Sequence, residues 1–335
     1  LFRSGQPLGL IWQAPSAQRL TQLLRNSSAE QLGAALVAST GQRLWVSSFR
    51  SEERIGLLLE PIELDSQIDT DDPSEAELLK LVAATSSAGT APSMDAFIEQ
   101  LAGLIRQLVG FERVMVYRFD TDWNGTVVAE SRAATLESSY LGLRFPASDI
   151  PPAARALFDR VAVRPSVDVS VDPLPLIYAA DQPDRADLSD CPYRAVAPVH
   201  RTYLQNMGVR SSLTLSLSVN GRLWGLLACH HLSGVRQLNP VLLALMRSVA
   251  TIGSIALTRL VEREQYTLLE QVQQISRWLQ QEAAAATSFD VWSVLLEPLQ
   301  PLLQGLMGCS ALALSRDGAI ERTAAAPSSE AIGRI

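Results

Sequence analysis

The run SSLTLSLSV at residues 211–219, followed by NG at 220–221 and RLWGLLACHH at 222–231, decides the fold. Leu213, Leu215, Leu217 and Val219 alternate with Ser212, Thr214, Ser216 and Ser218, which is the period of a strand with one apolar face. Asparagine and glycine accept the positive φ that a two-residue hairpin turn demands, so Asn220-Gly221 joins this strand to a second one over Arg222–His231. The apolar face is built for a core. The hydroxyl face is either solvated, the commoner arrangement in an antiparallel sheet, or lines a site.

Working outward, Phe97, Leu101, Leu104, Ile105 and Leu108 recur at three and four from Met94, an amphipathic helix capped by Ser93 and closed by Gly110. Val114–Phe119 and Gly125–Glu130 follow as strands. Residues 140–200 are loop-rich, with prolines at 146, 151, 152, 165, 173, 175, 183, 192 and 198. Long ordered loops usually carry function. From Asn239 to about Ala286, apolar residues Leu242, Leu245, Val249, Ile252, Ala256 and Leu260 keep helical spacing before the chain turns polar at Glu262, Glu264 and Glu270. A helix this long outruns one domain, and its stripe around Leu242, Leu245, Met246, Val249 and Gly253 is expected to build a homodimer.

The amino-terminal part, residues 1–90, reads as a small mixed α/β module with strand candidates at Leu44, Val46 and Leu57–Leu59. An acidic stretch (Asp69, Asp71, Asp72, Glu75, Glu77) and a run of small residues lead to a boundary near residue 90. The hairpin belongs to a domain over 91–255, the long helix covers 236–287, and a further α/β module opens over 288–335, with Val291, Leu295, Leu299 and Leu302 in helical spacing and a strand at Ala311–Leu314. The whole is α+β.

Length and composition agree with this division: 335 residues, 47% hydrophobic, suffice for two or three cores. A net charge of -7 counts against a nucleic-acid partner, which needs a basic face. Lys80 is the only lysine, so amine catalysis is nearly excluded. Cys191, Cys229 and Cys309 are widely spaced without a CxxC pair, which argues against a disulfide scaffold or zinc site and for a reducing compartment, the cytoplasm. No run approaches 18 uninterrupted apolar residues, and Leu1–Gly9 carries no signal-peptide pattern, so no membrane association is expected.

Catalytic and metal sets are thin. His200, His230 and His231 lack a carboxylate at ligand spacing, and the adjacent pair must point to opposite faces of a strand. Alternation turns Cys229 away from His230, as a buried small apolar residue. This chain is therefore not read as an enzyme. Arg155, Arg160, Arg164 and Arg194 lie in or beside the proline-rich region, either as solvated surface charges or as forks for carboxylates and phosphates. With the hydroxyl face and His230 they outline a pocket for a large, anionic, partly apolar ligand.

Several runs resemble the bacterial phytochromes: VMVYRFD at 114–120, WNG at 123–125 with VAESR at 128–132, RFPASDIP at 144–151, PVH at 198–200, YL at 203–204, NMGV at 206–209 and LWGLLACHH at 223–231. The resemblance implies a PAS domain, a GAF domain, each an antiparallel sheet flanked by helices, a long linker helix, and the start of a GAF-like PHY domain. It implies a red/far-red photoreceptor holding a linear tetrapyrrole, biliverdin being the expected one, and signalling to a downstream histidine kinase and response regulator. On this resemblance Asp149, Ile150 and Pro151 lie beside the pyrrole nitrogens with His200. Arg164 and Arg194 meet propionate, Ser212 and Thr214 reach the other propionate, and His230 meets the terminal-ring carbonyl. Tyr117, Phe145 and Tyr203 form the aromatic cage around that ring.

There are departures from the pattern. The family's attachment cysteine lies upstream of the PAS domain or next to the pocket histidine, and here His200 stands between Val199 and Arg201. The amino-terminal PAS motif is reduced to Gly5-Gln6-Pro7-Leu8-Gly9, so a thioether cysteine would lie further upstream. Within the chain Cys191 is the remaining contender. Phe158 and Ala197 replace a common tyrosine and serine beside the propionates. The alternative is a chromophore-less dimeric regulator, constitutive or redox-responsive through Cys191.

Overall fold

Two separate sheets, each with its own helix behind it, account for the amino-terminal three quarters of the chain. The computed structural model describes residues 12–26, 33–51, 54–61, 91–173, 175, 187–285, 300–307, 309–316, 319–323 and 325–332. The 5–9 motif, the acidic stretch with Lys80, the boundary near residue 90, Pro183, and Phe289 to Leu299 fall outside these residues. Helix α1 (Ala14–Asn26) precedes strands β1 (Gly33–Val37), β2 (Arg43–Ser51) and β3 (Arg54–Pro61), which pair antiparallel in the order β1-β2-β3. Trp12, Leu20, Leu36, Leu44 and Val46 form their core, with Leu57 packed against it.

Helix α2 (Met94–Val109) is capped as its sequence predicts. Ser93 Oγ accepts from the Ala96 amide, and Gly110, at φ 63°, donates back to the Arg106 carbonyl. Its periodic face, Phe97, Ile98, Leu101, Ile105 and Leu108, is buried. Strands β4 (Arg113–Phe119), β5 (Gly125–Arg132), β6 (Arg144–Phe145), β7 (Val163–Ser166), β8 (Ser211–Val219) and β9 (Arg222–His231) make a six-stranded antiparallel sheet in the order β6-β5-β4-β9-β8-β7. The hairpin turn is as expected, with φ 50° at Asn220 and 72° at Gly221.

Alternation divides the sheet's two faces cleanly. Val114, Val116, Leu213, Leu215, Leu217, Leu227 and Cys229 are fully buried on the core face. The opposite face carries cross-strand rows. One is Met115, Ala228, Thr214 and Arg164, and the next is Arg113, His230, Ser212 and Ser166. Above these rows run a 3₁₀ turn (Ala147–Asp149), helix α3 (Pro152–Arg160) and helix α4 (Pro198–Asn206). Both helices start on a proline, whose fixed φ and missing N–H suit a first turn.

Helix α5 (Pro240–Ala285) is the long helix, 46 residues. Most of the stripe expected to make a dimer is buried inside this chain, with Leu245 half-buried. Leu242, Met246 and Val249 are at most 4% exposed, and a Cβ at Gly253 would touch Leu101 and Leu217. The core face of the six-stranded sheet needs a second helix beside α2, and the first half of α5 supplies it. Ser254 and Thr258 Oγ atoms also accept the Ser218 and Asn220 amides at the end of β8. The outward apolar residues are Ile252 and Ile255. Part of this helix is long and apolar enough to cross a membrane by length and composition, but Leu242, Met246 and Val249 within it are buried in this chain.

The chain divides into two compact units, Leu1–Thr258 and Arg259–Ile335, with α5 continuous across the division. The second unit holds helix α6 (Gln300–Met307), the antiparallel pair β10 (Ala313–Arg316) and β11 (Ala319–Arg322), and helix α7 (Ser329–Ile332).

Candidate ligand-binding site

A cavity of about 540 Å3 opens between the polar-patterned face of the six-stranded sheet and the proline-rich segment. Of the residues singled out from the sequence, Tyr117, Phe145, Asp149, Ile150, Pro151, Phe158, Arg164, Arg194, His200, Tyr203, Ser212, Thr214 and His230 are on its wall, whereas Arg155, Arg160 and Cys191 are not. The open choice about the hydroxyl face is decided here, since Ser212 is 7% exposed and lines the cavity with Thr214. His230 is on that wall, Cys229 is buried on the other side, and His231 sits 3.5 Å from Glu112. The strand parity that separates the two histidines is the one the sequence implies.

The four candidate arginines have different tasks. Arg155 donates to the Ile150 carbonyl at 2.6 Å and its guanidinium lies 4.6 Å from the Trp123 ring centre, so it holds the Asp149–Pro151 turn in place. Arg160 forms a bidentate pair with Asp190, at 2.8 and 2.9 Å, on the surface. Arg164 and Arg194 have no ion pair among the described residues. Arg164 points along the wall, with its guanidinium donating to the Arg194 carbonyl at 3.5 Å. Burial first, and then the neighbouring Arg194 charge, lowers the Arg164 pKa to about 10. Asp187 feels the Arg194 charge without pairing with it, and two partly desolvated cations without an ion pair make a site that an anion stabilises.

The imidazoles are held neutral. Burial, then Arg113 and His200, lowers the His230 pKa to about 3, and its Nδ1 is buried without a hydrogen-bond partner among the described residues. His200 stacks on Tyr203, 6.0 Å between centroids, and its pKa is lowered by burial and Arg164 against a pull from Asp149. Tyr117 is raised to about 12 by burial, then Asp149 and Tyr203. No nucleophile–base pair emerges from this set, and among the described residues no group of three or more metal-ligating side chains exists.

Some wall residues went unnamed in the sequence. Met115, Val127, Leu226, Ala228 and Ser166 line the cavity, and strand parity with Tyr117, His230 and Ser212 would have found most of them. Behind His230 sits a buried ion pair, Arg113 Nε to Glu130 Oε1 at 3.0 Å, both side chains 3% exposed. Arg113 also lies 3.9 Å from the ring centre of Tyr140, another wall residue. No local signal reveals that pair. Cys191 is buried beside the arginines but is not on the wall, and burial raises its thiol pKa. The structure therefore counts against Cys191 as an attachment point.

An antiparallel sheet with two helices behind it and a ligand-sized cavity in front is the GAF arrangement, and the GAF domain family model matches residues 93–257. More particular likenesses follow. A variant of the chromophore-binding domain of the Stigmatella aurantiaca bacteriophytochrome is 32% identical with a TM-score of 0.68, covering 76% of this chain and 83% of that one. The Stigmatella aurantiaca phytochrome photosensory core module gives a TM-score of 0.77 at 29% identity over 98% of this chain and 65% of that one. A bacteriophytochrome of Xanthomonas campestris is 52% identical over 132 residues, 38% of this chain and 20% of that protein. The chain belongs to the bacteriophytochrome family and corresponds to its photosensory region, PAS and GAF with the start of PHY. Its matched stretch spans about a fifth of the length of such curated relatives (20%, 18% and 18%).

Proposed function

We propose that this chain is a red/far-red light sensor that holds a linear tetrapyrrole, biliverdin, in the GAF cavity and signals to a C-terminal output domain of histidine-kinase type in the cytoplasm. The observation that carries the reading is the pair Arg164 and Arg194: two guanidiniums without a carboxylate partner among the described residues, on a wall otherwise lined mostly by apolar and aromatic side chains. A bilin has the complementary chemistry, two carboxylates on an elongated apolar body. His230 on the same wall supports the fit, because a neutral imidazole carries one N–H that can donate to a ring carbonyl.

When bound, the bilin supplies absorption of visible light and isomerisation about a methine bridge. The chain's residues bind and orient. Arg164 and Arg194 hold carboxylates, and Ser212 and Thr214 add hydroxyl donors. Tyr117, Phe145, Phe158 and Tyr203 confine the conjugated body. The Asp149 carboxylate acts on the His200 imidazole within the cavity lining, and Arg155 keeps the Asp149–Pro151 turn fixed by its bond to Ile150. Binding through this chain's described cysteines is noncovalent. Cys191 is off the wall, Cys229 is on the core face and Cys309 belongs to the second unit. A redox role for Cys191 gains nothing from its buried thiol, whose pKa is raised and whose reactive thiolate is thereby disfavoured. A homodimer through the outward face of α5 completes the proposal.

The test is titration of the apoprotein with biliverdin. A red absorption band that changes on illumination is expected. Arg164→Ala and Arg194→Ala are expected to weaken uptake about tenfold or more, as loss of a charge-assisted contact does, while Arg222→Ala at the exposed hairpin leaves it unchanged. Absence of any red band, or equal affinities in all three variants, would reject the reading.

A further inference from the structure

The segment carrying Arg194 is fastened to the amino-terminal three-stranded sheet by a side-chain hydrogen bond. Tyr193 Oη donates to Glu60 Oε1 at 2.7 Å, across 133 residues of sequence. Glu60 is on β3, and Tyr193 is the residue immediately before Arg194. We propose that Tyr193 and Glu60 are positioning residues for the ligand: their hydrogen bond sets where Arg194 stands on the cavity wall, so the first sheet takes part in anion binding without touching the anion. This rests on Arg194 meeting a bilin carboxylate.

Three observations carry it. The bond is half-buried, and it joins a phenol to a carboxylate, a charge-assisted type stronger than a neutral one. Other ties on the segment are weaker: Arg160 to Asp190 and Asp187 is exposed, and Arg164 reaches the Arg194 carbonyl only at 3.5 Å. Finally, the Arg194 backbone is held close to Tyr193 by short turns, its amide donating to Cys191 O at 3.3 Å and the Cys191 amide to Leu188 O at 3.0 Å. Tyr193 and Arg194 share one peptide, so where the tyrosine is anchored fixes where the arginine leaves the backbone. The charge of Arg247, on α5, also acts on Glu60 and steadies its carboxylate against burial. Tyr193 itself makes no part of the cavity wall, which separates positioning from contact.

A double-mutant cycle read by biliverdin dissociation constants tests it. Tyr193→Phe and Glu60→Ala are each expected to weaken binding about three- to tenfold, and Glu60→Gln, which keeps an acceptor, to lose less. Adding Tyr193→Phe to Arg194→Ala is expected to cost nothing further, whereas adding it to Ser212→Ala, on β8 and without a hydrogen bond to Arg194 among the described residues, multiplies the two losses. Wild-type affinity in Tyr193→Phe, or full multiplication in both combinations, would overturn the proposal while leaving bilin binding intact. No uptake by the wild-type chain would instead reject the binding reading on which it rests. Should Tyr193→Phe not fold, the Glu60→Gln and Glu60→Ala variants run through the same cycle.

Discussion

His230 is an imidazole that folding keeps uncharged. Its pKa falls from the ordinary 6.5 to about 3, chiefly because burial strips the solvent an imidazolium needs, with Arg113 and His200 adding repulsion. The sign follows from linkage. A histidine depressed in the fold binds its proton more readily when unfolded, so its contribution is present above pH 6.5 and is lost as pH falls toward 3. In that window the slope from one proton is about 1.4 kcal/mol per pH unit. Urea denaturation of the apoprotein at pH 6.5, 5.5 and 4.5 is expected to give a steeper loss of stability for wild type than for His230→Gln. Equal slopes would show that His230 is not the residue responsible.

At the scale of elements, two glycines let β4 lie against its neighbours. Tyr117 spreads its ring over Gly125 on β5, and its carbonyl oxygen passes close to where a Cβ would sit on Gly225 of β9. These glycines fall in the WNG and LWG runs, whose small residue therefore has a steric reason. Gly225→Ala presses a methyl on a backbone oxygen that cannot turn aside, and is expected to destabilise by about 1–3 kcal/mol. Gly103, inside α2, has nothing within 4 Å of a built Cβ. Gly103→Ala is expected to gain about 0.5–1 kcal/mol from helix propensity. Chemical denaturation of both variants checks the contrast, and a stabilised Gly225→Ala would contradict the packing described. The helix caps and the hairpin turn were legible because each is written within four residues. The close approach of β4 to β9 was not, because nothing in the local sequence states which strand lies beside which.

The whole-molecule prediction concerns α5. Its inward stripe completes the GAF core, so Leu242→Ala is expected to act on folding, at about 2–5 kcal/mol, and not on association. Ile252 and Ile255, 40% and 51% exposed on the outward side, are the residues expected to meet a second copy. Light scattering at micromolar concentration should give twice the chain mass for wild type and a smaller mass for Ile252→Glu with Ile255→Glu. A monomer mass for wild type would remove the dimer, and an unaltered dimer in the double variant would move it elsewhere.

The sequence by itself determined whatever depends on short-range period and on long, ordered motif runs. It placed the hairpin, the faces of β8 and β9, the caps of α2, the extent of α5, and the wall residues from Tyr117 to His230. Tertiary packing decided how residues far apart use one another. Four arginines look alike along the chain, yet Arg155 and Arg160 found partners at Ile150 and Asp190, while Arg164 and Arg194 stand on the cavity wall without an ion pair among the described residues. One apolar stripe on α5 reads equally as core or interface, and it became core because the sheet's buried face required a second helix. Arg113 meets Glu130 across the β4–β5 pair, and Tyr193, in a loop, meets Glu60 on β3, contacts that only the tertiary fold creates. Side-chain period reports which way a residue faces, whereas the identity of what it faces is set by topology, and that exists only in the folded chain.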